Sequence, residues 1–275
     1  MRLTEADGRL AWMSPGSQAA VLAGADMSRM FDLAVDYFVG MPTWTELGDP
    51  EFQIWLTHTP QGEGHEYAGT AISMYTHTGT HICSLNHLGH DGRFWNGWTA
   101  NRDLGSRAWR VGGRYPPIIA RAVLLDVAGR KRVQCLPDSY AISRDDLREA
   151  GSEQIEPGDV ALIRTGRMSR WPDREGFMRA PPGLGMEAAR HLAEERRVMC
   201  VGADCGGEVL PPKEAGTFLP VHSYLLADAG VPIIENMWLE EVAAAAICDL
   251  VLLAFPLKLL GSTGLPLRPM AMPRA

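Results

Sequence analysis

The sequence is short of most features that would place it in a special class. Its five cysteines (Cys83, Cys135, Cys200, Cys205, Cys248) are odd in number and irregularly spaced, with no CxxC pair. That argues against a secreted disulfide framework and for reduced thiols. No apolar run approaches the roughly 20 residues that would span a bilayer, so no membrane segment is expected. The opening MRLTEADGRLAWMSPGS carries acids and no apolar stretch, unlike a secretory signal. Basic residues are in deficit: 26 Lys and Arg against 33 Asp and Glu leave a net charge of −7. A chain so charged offers no concentrated basic face for phosphates, which argues against nucleic acid as a main partner. Internal repeats and low-complexity linkers are missing too. What these absences leave is a cytoplasmic protein whose partner is a small molecule.

What is present is enough apolar sequence for one large core. Of 275 residues, 46% are hydrophobic, so no staple is needed. Residues 1–30 read as an N-terminal arm, with Pro15-Gly16 as a break before a short helix at Ser17–Leu22. From residue 31 to 275 the chain reads as a single catalytic domain. Alternation at Phe31, Leu33 and Val35 predicts a strand, as do FQIWLT, the run at 118–127, Val160–Arg164, VMCVGAD, VPIIEN and DLVLLAFPL. SRDDLREA predicts a helix with Ser143 as N-cap, and GLGMEAARHLAEERR another ending in arginines. PVHSYLLADAG predicts a helix capped by Gly230, and LEEVAAA a further helix. Strands dominate the first half and alternate with helices in the second. The expected fold is α/β, with a mixed sheet and flanking helices.

The densest chemistry lies in HTGTHICSLNH, residues 77–87, where His77, His81, Cys83 and His87 fall together and His90 follows. The chain has only eight histidines, so chance scatter explains this poorly. In a straight strand His77 and His81 would lie about 13 Å apart, too far to share an ion. One straight helix cannot gather the whole set either. The segment must turn, and Gly79 permits it. The expectation is a strand ending near Thr76, a curved loop, then a short helix toward His87. Candidates to complete a metal shell are His222, Glu235 and Asp204. Glu235 follows the apolar VPII, where an inward carboxylate needs a partner.

Outside this cluster, Trp44 lies in a loop between Pro42 and Gly48, where it could stack on a flat substrate. Trp55, Phe94 and Trp95 read first as packing. Arg164 ends a strand and could bind a substrate carboxylate. Asp204 could contact substrate or orient a ligand histidine. Cys205 reads as a buried, inert thiol. His58, His65 and His191 read as structural or surface.

HTGTHICSLNH resembles the signature of the cyclase family, His-x-Gly-Thr-His-x-Asp-x-x-x-His, which includes kynurenine formamidases and isatin hydrolases. GMPTWTELGDP, LPDSYAIS, PGDVALIRTGR, VGAD, PVHSYLL, GVPIIENMWLEE and PLKLLGSTGLPLRP resemble blocks of its longer-chain branch. The resemblance implies a swivelling β/β/α fold, a homodimer or homotetramer, and a divalent metal at a hydrolytic site. By position it makes His77 and His81 metal ligands, His87 the general acid/base, and His222 and Glu235 ligands of a second metal position. The chain departs from the pattern at Cys83, which stands where the family has a ligating aspartate, and at Leu85, where formamidases have proline.

A thiolate favours zinc over manganese or magnesium. Zinc is therefore the expected cofactor, with manganese as the alternative and a metal-free form open because of Cys83. On the first reading the metal activates a water that attacks a small cyclic or aryl amide or lactone, and His87 protonates the leaving group. A second reading is a non-hydrolytic cyclase, dehydratase or isomerase on the same scaffold with an altered or absent metal. A third makes Cys83 a nucleophile with His87 as its base. The last is binding without catalysis.

Overall fold

The computed structural model describes residues 5–59, 61, 66–97, 115–212 and 218–275. His65 lies outside these. Among the described residues thirteen strands follow in chain order: β1 (Phe31–Asp32), β2 (Gln53–His58), β3 (Gly69–Ser73), β4 (His81–Cys83), β5 (Ile118–Asp126), β6 (Ala141–Ile142), β7 (Val160–Arg164), β8 (Gly183–Leu184), β9 (Cys200–Ala203), β10 (Ile233–Glu235), β11 (Asp249–Ala254), β12 (Gly264–Pro266) and β13 (Met270–Pro273). Nine of them form one sheet in the order β1-β13-β11-β5-β7-β9-β10-β4-β12.

The centre of that sheet is parallel, from β5 through β7 and β9 to β10. Antiparallel strands flank it on both sides. The sheet is therefore mixed, as its sequence pattern implies. The central strands VALIR and CVGA are buried along their whole length, the mark of parallel strands covered on both faces. Helices supply that cover. Ser143 caps Arg144–Glu149 through a capping box with Asp146. Met186–Arg190 continues as a π-helical turn, His191–Glu195, and Pro220–Ser223 continues as Tyr224–Asp228. Among the described residues no helix is long and apolar enough to cross a membrane.

The arm at the N-terminus does more than precede the domain. Leu10 and Met13 are buried in the main core. Arg9 donates to the carbonyls of Ala229, Ala193 and Val198. The helix there begins at Pro15 rather than Ser17, with Ser14 as its N-cap. Proline at the first helical position costs nothing, because its missing N–H has no helical partner there. So Pro15 starts the helix rather than breaking it.

β2 and β3 form a separate two-stranded sheet with Ile54, Trp55, Leu56 and Ile72 exposed. Trp55 is thus neither core nor site. His58 is exposed on the same hairpin beside Tyr67. His191 is buried between Ser152 and Glu195, a structural role. Trp95 packs over Gly230 and against the main core.

Candidate active site

The site forms where the parallel part of the sheet gives way to the antiparallel part, at β10 and β4. Open α/β sheets bind ligands at the carboxyl ends of their strands, where topology switches. Strand alternation decides which residues face it. In β4, His81 and Cys83 point one way and Ile82 the other. His81 stands opposite Glu235 in the antiparallel ladder, so those side chains share a face. Ile82 pairs with Ile234 on the opposite, apolar face.

His77 reaches this face by a turn. Thr78 N–H donates to Tyr75 O at 3.0 Å, and Gly79 follows at φ 66°. A Cβ on Gly79 would also lie 2.8 Å from the Tyr37 ring. Across from it, a Cβ on Gly264 would meet the His77 ring at 2.9 Å. Both glycines are required by close approach. The short helix expected toward His87 does not form. Residues 81–83 are held in ladders with β10 and β12, and His87 N–H closes a turn onto Ser84 O at 2.9 Å.

The donors converge. His77 Nδ1 lies 3.1 Å from His81 Nε2. Cys83 Sγ lies 3.5 Å from His77 Nδ1, 3.6 Å from His81 Nε2 and 3.7 Å from Glu235 Oε1. Glu235 Oε2 is 3.5 Å from His81 Nε2. His222 Nε2 donates to Glu235 Oε1 at 2.6 Å. His87 stacks on His77 with ring centres 3.8 Å apart. Two donor triads emerge, His77–Cys83–His87 and His81–Cys83–Glu235, each with its ligand atoms within 4.8 Å of one another. Cys83 belongs to both.

Protonation follows from the partners. His81 Nδ1 faces the Gly79 carbonyl at 2.9 Å. A carbonyl only accepts, so this nitrogen carries the proton and Nε2 presents its lone pair to the centre. Burial pushes His77 well below the usual histidine range and lowers His81 too, against the opposing pull of Glu235. Desolvation, helped by Glu235, pushes the Cys83 thiol up. Burial holds His87 down to about 3. Burial would lower His222 as well, but hydrogen bonds to Glu208 and Glu235 outweigh it and push it up to about 10. Three neutral imidazoles, a protonated one held between two carboxylates, and a thiol thus face one small volume. This donor set fits a divalent ion, and His77, His81, Cys83, His222 and Glu235 could hold it.

Above the donors lies a cavity of about 250 Å³. Trp44, Tyr75, Leu88, Leu210, Phe218 and Leu219 wall it, and His77, His87, His222, Glu208 and Glu235 form its polar floor. Trp44 therefore lines the cavity above the donors. Two expected substrate contacts lie elsewhere. Arg164 is clasped by Glu240, at 3.0 and 2.7 Å, and by Asp126 at 2.8 Å. Its guanidinium is spent on tying β5 and β7 to the helix Glu240–Ala244. Asp204 is fully buried and accepts from Thr165 N–H, Thr165 Oγ1 and Gly166 N–H. It shapes the turn after β7 and touches no histidine. Cys205 is buried with its thiol on Pro182 O, as an inert cysteine would be.

Glu208 was not singled out from the sequence. It is 1% exposed, accepts from His222 Nδ1 at 2.8 Å and lines the cavity. Its only signal in sequence is an acid between a Gly-Gly turn and an apolar pair, GGEVL. Thr263, 3.0 Å from His77 Nε2, gave none.

Known proteins resemble this chain in sequence and in fold. The family model Cyclase matches residues 31–207. An isatin hydrolase of Roseibium aggregatum is 24% identical over 237 residues, 81% of each chain. A crystal structure of a novel cyclase superposes with a TM-score of 0.83 at 26% identity, covering 97% of this chain and 94% of the other. Isatin hydrolase A of Ralstonia solanacearum superposes with a TM-score of 0.71 at 22% identity, covering 95% and 99%. The large mixed sheet, the HTGTHICSLNH segment that supplies its strand β4 and these matches agree: the chain belongs to the cyclase family.

Proposed function

We propose that the protein is a metal-dependent hydrolase of a small cyclic or aryl amide or lactone. The observation that supports it best is the convergence of His77, His81, Cys83, His222 and Glu235 beneath one apolar-walled cavity. Small-molecule sites commonly pair apolar walls with a few fixed polar groups. The name of the Roseibium relative, isatin hydrolase, points to the same class of substrate.

In this reading the five donors would hold a divalent ion, with zinc favoured over manganese by the thiolate. Such an ion, when bound, lowers the pKa of water toward neutrality and polarises a carbonyl. The chain's own residues do the rest. Gly79 O fixes the His81 tautomer, and Glu208 holds Nδ1–H of His222. Trp44 and Leu88 exclude water from the face of a flat substrate. His87 is neutral at physiological pH, so it first accepts a proton from the attacking water and then returns it to the leaving nitrogen or oxygen. Cys83 contributes as a thiolate ligand. With its thiol pushed up by burial, it is a poor nucleophile on its own.

The test is elemental analysis of the purified protein, followed by turnover of isatin, aryl formamides and aryl lactones before and after dialysis against a chelator. About one zinc per chain, with turnover lost on chelation and restored by zinc, is expected. Full activity in metal-free protein would overturn the reading.

A second copy of the chain is proposed as its partner. An isolated two-stranded sheet is marginal in water, and β2–β3 shows apolar side chains on both faces. Light scattering of the purified chain is expected to give a dimer or tetramer. Replacing Trp55 and Ile72 together with serine is expected to shift it toward monomer; an unchanged mass would place the contact elsewhere.

A further inference from the structure

We propose that Glu208 is a positioning residue that keeps a proton on Nδ1 of His222, and so holds Nε2 toward the Cys83–Glu235 centre. The inference rests on the metal-site reading for its catalytic meaning, though not for its geometry.

Glu208 comes from a different part of the chain than the helix it serves. Gly207, at φ 71°, turns the backbone after β9, and Leu184 pairs with Glu208 in a parallel bridge. The carboxylate then meets the helix that begins at Pro220. The first N–H groups of any helix have no partner within it. Leu219, at the N-cap, has no side-chain acceptor. Glu208 takes over that role: Oε1 accepts from Val221 N–H at 3.0 Å and Oε2 from His222 N–H at 3.1 Å.

A cap would need no more than this. The same Oε2 also accepts from His222 Nδ1 at 2.8 Å, while His222 Nε2 meets Glu235 Oε1 at 2.6 Å. A carboxylate has no proton to offer, so Nδ1 must be the donor. Three hydrogen bonds thus tie one buried carboxylate to the Val221 N–H and to both the backbone N–H and the ring of His222. The ring can neither flip nor lose its Nδ1 proton without leaving Glu208 short of a donor in the interior, a costly state. Partners of this kind typically change the affinity of a metal site by 10- to 100-fold.

The decisive substitution is Glu208→Gln. It keeps the volume but only one acceptor oxygen, so one of the two carboxylate positions becomes an NH₂ donor. With the carbonyl on Val221 N–H, that NH₂ takes the place of Oε2 and faces Nδ1, and the ring gives up its proton there. Nitrogen NMR of histidine-labelled, metal-free full-length protein reads the proton on Nδ1 directly. It is expected on Nδ1 in the wild type and in Glu208→Asp, and absent from Nδ1 in Glu208→Gln. Zinc affinity, measured by competition with a chromophoric chelator, is expected to fall about 10- to 100-fold in Glu208→Gln and to recover in part in Glu208→Asp. A proton still on Nδ1 in Glu208→Gln, with wild-type zinc affinity, would overturn the proposal. If the wild type binds no zinc at all, the metal-hydrolase reading fails, and the ring signals alone decide for or against Glu208. Should Glu208→Gln fail to fold, Glu208→Asp carries the test: a proton absent from Nδ1 there also overturns it.

Discussion

Cys83→Ser is expected to cost more than about 100-fold in zinc affinity, beyond the upper end of what a change outside the ligand shell costs. Cys83→Asp is expected to bind a divalent ion again, but with preference shifted from zinc toward manganese. The reason is the position of Sγ. It lies between His77 Nδ1 and His81 Nε2 at 3.5 and 3.6 Å and belongs to both donor triads. Removing it takes a corner from each. Serine keeps a small polar group against Glu235, so the fold survives, but a hydroxyl is a far weaker ligand than a thiolate. Aspartate restores the charge with harder oxygen donors, which favour manganese and magnesium. Competitive loading with equimolar zinc and manganese, followed by elemental analysis, reads the preference. Cobalt-substituted protein gives an independent reading. A sulfur-to-cobalt charge-transfer band is expected in the wild type and absent from both variants. A wild-type cobalt protein without that band would remove Cys83 from the ligand set.

Some of this site was legible in the sequence because it depends on short-range geometry. Two histidines four apart cannot meet on an extended strand, so a turn at Gly79 followed from spacing alone. The inward Glu235 followed from the apolar run before it. The β4 ladder was not legible, because three residues pair with partners about 150 and 180 positions away, and nothing local marks them as a strand. That is why a helix was expected where a turn stands. Arg164 and Asp204 misled for a related reason. Each ends a buried strand, where a polar side chain reads equally as a substrate contact or as an internal tie. Only the positions of Glu240, Asp126 and Thr165 decide between these. Glu208 escaped notice because its value lies in whom it touches. An acid in a Gly-Gly turn looks like surface until the helix at Pro220 is brought against it.

His87→Ala is expected to lower kcat by about 10²- to 10⁴-fold, the usual range for losing a positioned acid–base group, with KM nearly unchanged. The ring lies flat against His77 at the cavity floor, and among the described residues nothing pairs with its nitrogens. A ring held neutral there has a lone pair to offer at physiological pH. Yet His87 also stands in a donor triad with His77 and Cys83, so a ligand role competes with the base role. Metal content separates the two. If His87 moves protons, His87→Ala keeps its zinc, loses turnover and regains part of it when imidazole is added. If His87 ligates, zinc falls with turnover and imidazole restores both together. A kcat within about threefold of wild type would leave His87 with neither role. Its place at the cavity floor favours the base: with its nitrogens unpaired among the described residues, the ring is open to a water or a leaving group in the cavity.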